Sequence, residues 1–227
     1  MKRESFTDFD AFCATNPQLD SQWLINGGRD WRWSTDSLVV GDCGILRCYS
    51  GTGLITEGAE SLDCYHFYVP VNGGVWRNNG VGFNEDEILV MEPGVEQCQS
   101  SNGADGWHGF IVPKHLVAIE PETRGERARF SYTVKVNPRI TDTVRNLFGK
   151  VIAAVLENPD IESSPAARMV EAELRSLLLP TLELEAGGAE NKGGARGRPS
   201  ISRREVVQRS KAVLEEFGSE VNNLQVR

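Results

Sequence analysis

Between residues 23 and 112, apolar and polar side chains alternate over short runs, and Gly, Asn and Asp interrupt them at close intervals. Alternation with a period of two puts successive side chains on opposite faces, so each run can bury one face and wet the other; this is the pattern of an antiparallel β domain. The runs fall at 22–26, 30–35, 37–40, 44–50, 53–57, 62–71, 74–77, 82–83, 87–91, 96–100 and 107–112. Asn78-Asn79-Gly80 separates two of them with residues that tolerate positive φ, as a tight hairpin requires, and Pro93-Gly94 marks a second turn.

After Pro113 the period lengthens. Over 141–158, Val144, Leu147, Phe148, Val151, Ile152 and Val155 form one stripe, which predicts an amphipathic helix ended by Asn158-Pro159-Asp160. A second helix is predicted over 165–183, with Met169, Val170, Leu174, Leu177 and Leu178 on its apolar side and Pro180 as a kink or stop. Two helices joined so briefly lie antiparallel, and the β domain, a second copy of the chain, or both must cover their apolar faces. Leu147, Val151, Leu174 and Leu178 are the expected contacts of a homodimer. Residues 186–200, AGGAENKGGARGRPS, read as a flexible linker. Beyond it, Ser202-Arg203-Arg204-Glu205 has capping-box spacing, so a new helix starts at 203, with Val206, Val207, Val213, Leu214 and Phe217 as its apolar face. The expected fold class is α+β, divided into a β domain (1–140), dimerisation helices (141–185), a linker (186–200) and the first helix of another domain (201–227).

Charge sharpens this division. Residues 191–227 hold 8 basic against 4 acidic side chains, while the preceding 190 hold 16 against 28. The body repels a phosphate backbone and the tail does not. The five cysteines (Cys13, Cys43, Cys48, Cys64, Cys98) have no metal-binding spacing and read as free thiols. Cys64 and His66 are two apart, which puts both on one strand face and does not by itself make a catalytic pair. No apolar run reaches the ~20 residues of a membrane span, and the first residues carry no apolar leader, so the expected location is the cytoplasm.

The stretch 65–73, YHFYVPVNG, followed by 87–94, EILVMEPG, resembles the sensor barrel of AraC/XylS-family transcription regulators. The helix pair resembles that family's dimerisation helices, and the S-R-R-E segment with its Val…Leu…Phe-Gly continuation resembles the start of its helix-turn-helix domain. The resemblance runs through nearly the whole chain as an order of parts. It implies a cupin-like double-stranded β-helix, a homodimer, and control of transcription by a small-molecule effector. It also implies that the groove-reading helices would follow Arg227, leaving Arg203 and Arg204 as contacts to the DNA backbone alone.

Many cupins are metal enzymes, which hold their ion with an H-x-H pair, a Glu and a later His. Spacing from Gly73 puts His66 at the Glu position with no histidine at 59–62, and Gln97 stands where the late His belongs. No metal, no cofactor and no catalytic residue is therefore expected. The same register turns His66 and Tyr68 inward, opposite Tyr65, Phe67, Val69 and Val71, with Trp76 and Gln97 on neighbouring strands. These four are the candidate ligand-binding residues. Against this stand three other readings: that the same side chains merely fill the barrel, that the chain is a metal-independent cupin enzyme, or that it is a stand-alone small-molecule-binding module. Trp107 and His108 read as core and strand edge, and Trp31 and Trp33 as one half-buried strand face.

Overall fold

The computed structural model describes residues 1–15, 20–71, 74–117 and 131–182, with backbone alone at 20 and 21. The chain divides into two compact units, Met1–Gly187 and Gly188–Arg227. The linker expected at 186–200, the helix expected at 201–227 with Arg203 and Arg204, and the last residues of the second predicted helix lie outside the described residues.

The first unit is α+β: a nearly closed, cupin-like antiparallel β-barrel followed by a helix pair. Its strands are β1 (Lys2–Phe6), β2 (Asp20–Val40), β3 (Cys43–Ala59), β4 (Cys64–Pro70), β5 (Trp76–Asn78), β6 (Val81–Phe83), β7 (Glu87–Met91), β8 (Glu96–Ser101), β9 (Asp105–Pro113) and β10 (Ser131–Lys135). Its helices are α1 (Phe9–Cys13), α2 (Pro138–Glu157) and α3 (Pro165–Leu178).

Five of the runs read from alternation merge into two long strands, because β2 and β3 bend and continue from one face of the barrel into the other. Along β3, residues 44–50 pair with β9 and residues 55–59 with β8. The corner lies between these segments. There a Cβ on Gly51 would meet the Asp30 carbonyl oxygen at 2.2 Å, and one on Gly53 would meet the Asn26 carbonyl oxygen at 2.2 Å. Only glycine lets the two backbones close in this way, and the β2–β3 register shifts at the same place. The remaining ladder runs β9–β4–β7–β10 on one side and β8–β5–β6 on the other. Asn79 and Gly80 both take positive φ in the β5–β6 hairpin, as their composition predicts.

Two local features depart from what the alternation shows. Strand β1 and helix α1 carry little alternation or length, yet Phe12 on α1 is fully buried against Trp33, with Phe9 and Trp23 around them. Trp31 and Trp33 share a face but not an environment, since Trp31 is exposed and Trp33 is buried under α1.

Helix α2 begins at Pro138, three residues earlier than its apolar stripe, because Asn137 caps the Arg139 amide and proline suits the first turn. Helix α3 runs to Leu178 and is interrupted by a turn at Leu179, after which 180–182 are helical again, so Pro180 starts a new turn of helix. Both helices lay their stripes on the outer face of the barrel, where Phe67, Val69, Phe110 and Val112 meet Val144, Phe148, Ile152, Leu174 and Leu178, but Met169, expected on the apolar side of α3, is exposed. Here the expected dimer contacts need correction. Leu174 and Leu178 are fully buried within one chain, Val151 is buried, and Leu147 is half-buried on the same core. The barrel's own outer face is apolar enough to cover Val151, Leu174 and Leu178 within one chain, while Leu147 keeps part of its surface exposed.

Candidate ligand-binding site in the barrel

Strand alternation sorts side chains between two compartments. On β4, Phe67 and Val69 point to the helices, while His66 and Tyr68 point into the barrel. The inward set on the other strands is Leu54, Thr56 and then Glu60 at the end of β3, Gln97, Gln99 and Ser101 on β8, Trp76 on β5, Leu89 and Met91 on β7, and Asp105 and Trp107 on β9. Three of the four candidates read from the sequence share one cleft. Tyr68, Trp76 and Gln97 line a cleft together with Trp23, Leu54, Thr56, Glu57, Gln99, Ser100, Ser101 and Trp107. His66 sits deeper, behind Tyr68.

Glu60 ties this interior together. Its carboxylate is fully buried; Oε1 accepts from Gln97 Nε2, and Gln97 Oε1 accepts in turn from Gln99 Nε2. His66 Nδ1 lies 2.9 Å from Glu60 Oε2 but outside hydrogen-bond geometry, and bonds at 3.2 Å to the Tyr68 hydroxyl instead. Burial, and then the nearby Glu60, push Tyr68 ionisation well above the ordinary tyrosine range, so the phenol stays neutral.

The polar groups of this interior are incompletely paired. Glu60 Oε2, His66 Nε2, Trp76 Nε1 and both carboxylate oxygens of Asp105 are buried with no well-formed hydrogen bond among the described residues. Asp105 shares its strand face with Trp107, and a Cβ on Gly74 would lie 3.2 Å from Trp76 Nε1 and 3.5 Å from Asp105 Cβ, so the two side chains start from one corner of the barrel. Burial pushes the Asp105 carboxyl up to about 7, with Ser101 holding it back slightly.

Trp76 and Trp107 meet edge to face, ring centroids 5.4 Å apart at 83°. The cleft encloses about 500 Å3 of empty space, its mouth included, of which only about 40 Å3 admits the centre of a water molecule. That narrowness suits a ligand, or a ligand head, of a few heavy atoms. No group of three His, Cys, Asp or Glu side chains among the described residues is placed to hold a metal ion.

The sequence reading left out Glu60, Gln99, Asp105, Trp107 and Trp23. Parity carried Gln99 from Gln97 and Asp105 from Trp107, and Trp107 lines the cleft where core or edge was expected. Glu60 follows the last paired residue of β3, so alternation alone did not place it. Trp23 reaches the cleft beside α1, which the pattern did not reveal.

No family profile and no curated protein sequence matches the chain. Among solved structures, the AraC-like transcriptional activator CuxR is similar in fold, with a TM-score of 0.55 and 13% identity over 80% of this chain and 70% of that one. A cupin-2 domain protein from Rhodospirillum rubrum overlaps 62% of this chain and 89% of that one at 14% identity, TM-score 0.28. A predicted oxalate decarboxylase from Thermotoga maritima overlaps 42% and 94% at 13% identity, TM-score 0.27. Overlaps as loose as the last two bear on neither function nor chemistry.

Proposed function

We propose that this chain is the effector-sensing region of an AraC-type transcription regulator and not an enzyme, with the barrel cleft around Tyr68, Trp76, Gln97 and the deeper His66 as its ligand site. The observation that carries this reading is an unsaturated polar interior inside a barrel whose fold is that of an AraC-like activator. A barrel serving only as scaffold gains nothing from burying polar atoms that make no well-formed hydrogen bond among the described residues, since each costs about 1–3 kcal/mol. A site that a ligand completes recovers that cost on binding, and so acquires both affinity and selectivity.

The reading includes a cytoplasmic location, a homodimer, and contact with DNA through the segment containing Arg203 and Arg204. Since the helix stripes are covered in one chain, pairing would use the helices' outer sides, where Leu156 and Met169 are exposed. No helix among the described residues is long and apolar enough to cross a membrane.

The test is genetic and chemical. Deleting the gene should change the transcripts of a restricted set of promoters, restored by the wild-type protein and not by a folded Gln97→Leu variant. Elemental analysis of the purified protein should give far less than one metal per chain. An unchanged transcript profile, or a stoichiometric barrel metal with turnover of a small molecule, would remove the regulator reading in favour of an enzyme.

A further inference from the structure

The cleft has a sign as well as a shape. Of the side chains that line it, only Glu57 is charged and none is basic. Glu60 lies behind Gln97, and Asp105 lies beside Trp76 and Ser101. Among the described residues, buried acceptors without a hydrogen bond outnumber such donors in the interior: Glu60 Oε2, which faces His66 Nδ1 at 2.9 Å, and both Asp105 oxygens stand against the indole N–H of Trp76, with His66 Nε2 able to act either way. A ligand that satisfies this set must bring donors or positive charge. An anion would instead meet buried carboxylates in a low-dielectric site with no compensating cation.

The walls agree with the charge. Trp23, Tyr68, Trp76 and Trp107 present aromatic rings to one narrow space, and the edge-to-face pair Trp76–Trp107 supplies two nearly perpendicular faces. The negative faces of such rings attract a cation, and most strongly where water is excluded.

Resting on the reading of the barrel as an effector site, we infer that its ligand is a small organic ammonium ion, seated between the rings of Tyr68, Trp76 and Trp107, with the buried carboxylate of Asp105, behind Ser101 of the cleft wall, as its counter-charge. The aromatic walls select for a positive, weakly hydrated head, Asp105 supplies the counter-charge, and the small free volume limits the head to a few atoms.

Choline and dimethylbutanol, its uncharged carbon isostere, have the same shape and differ in charge, so together they isolate the claim. Each is titrated into the purified full chain, with inorganic phosphate as the anionic probe, while tryptophan fluorescence and calorimetry are followed. The expected result is saturable binding of choline at least about tenfold tighter than of the isostere, no binding of phosphate, and loss of the choline preference in Asp105→Asn with the isostere's affinity unchanged. Equal or tighter binding of the isostere, or saturation by phosphate, overturns the ammonium assignment and leaves the cleft standing as an effector site of another class. If choline fails to bind and no member of a broader metabolite panel perturbs the cleft tryptophans, the effector-site reading fails with it. A parallel Trp107→Phe variant, with circular dichroism to verify folding, separates a lost cation site from a damaged barrel: it should weaken choline binding by less than Asp105→Asn does.

Discussion

His108 lies flat against Phe148, the ring centroids 4.6 Å apart and the planes within 9° of parallel. This contact joins the outward face of β9 to the buried stripe of α2, so an imidazole is part of the surface that docks the helices on the barrel. Burial, and then the positive charges of Arg47 and Arg145, hold its pKa down to about 4. A histidine kept neutral in the fold contributes stability above its unfolded value near 6.5, and loses it as pH falls through the folded value. We expect His108→Phe to remove this term. The difference in unfolding free energy between variant and wild type should therefore drift in the variant's favour as pH falls from about 6.5 to about 4, read by urea unfolding across that range. A pH-independent difference would mean that His108 is not buried neutral.

Asp105 works in the opposite sense over nearly the same window. Its carboxyl is raised to about 7 by burial, and the groups facing it are Ser101, Trp76 and the buried Cys48 thiol, with no cation among them. A carboxyl whose folded pKa is raised contributes stability fully below its unfolded value near 4, and loses it as pH rises through about 7. Asp105→Asn, which keeps the shape and cannot ionise, should be stabilised relative to wild type by a few kcal/mol at pH 8 and by little or nothing at pH 4. Because the two groups oppose each other, wild-type stability should vary less between pH 4 and 7 than either variant alone. A wild-type profile steeper than both would contradict this assignment of the two groups.

The sequence made one half of this legible and hid the other. The period-two alternation of 65–71 assigned His66 and Tyr68 to one face and Phe67 and Val69 to the other, because strand geometry leaves no further choice. Gly80 and Asn79 announced their hairpin because few other residues accept positive φ. Glu60 was invisible because it sits just past the paired register of β3, where alternation no longer applies, and becomes meaningful only when β8 brings Gln97 against it. Asp105 escaped for a related reason, since a lone aspartate at a strand start reads as a turn residue until the fold closes over it. The helix stripes were real, but a stripe says that a surface is covered and not by what.

Val151 and Leu174 give that last point a measurable form. Both are buried against the barrel, Leu174 completely. Val151→Asp or Leu174→Asp therefore places an unpaired carboxylate in the core, and each should cost at least about 3–5 kcal/mol. The expected outcome is loss of cooperative unfolding or of soluble protein. A well-folded monomer from a dimeric parent, by light scattering and circular dichroism, would show that these residues face a second copy after all. Met169→Glu, on the exposed side of α3, should leave the fold of one chain intact by circular dichroism while weakening the pairing proposed for that side.

Trp76 is both wall and core, and two substitutions separate these roles. Its ring packs with Phe83, Leu89, Met91 and Val95 in the inner cluster, so Trp76→Ala removes a large buried body and should cost about 3–5 kcal/mol. A loss of ligand binding in that variant would say nothing about recognition. Trp76→Phe is different, because it keeps most of the aromatic area while deleting the Nε1–H that finds no partner among the described residues. Removing an unsatisfied buried donor relieves a penalty of about 1–3 kcal/mol and offsets the packing lost with the smaller ring. Its net effect on the unliganded chain should therefore be small, within about 1.5 kcal/mol of wild type by denaturant titration. If a ligand engages the indole N–H, Trp76→Phe will bind it more weakly while remaining as stable as the parent. An alanine variant no less stable than the phenylalanine one would mean that the ring packs nothing, and a phenylalanine variant several kcal/mol less stable would mean that the indole N–H is already satisfied within the fold.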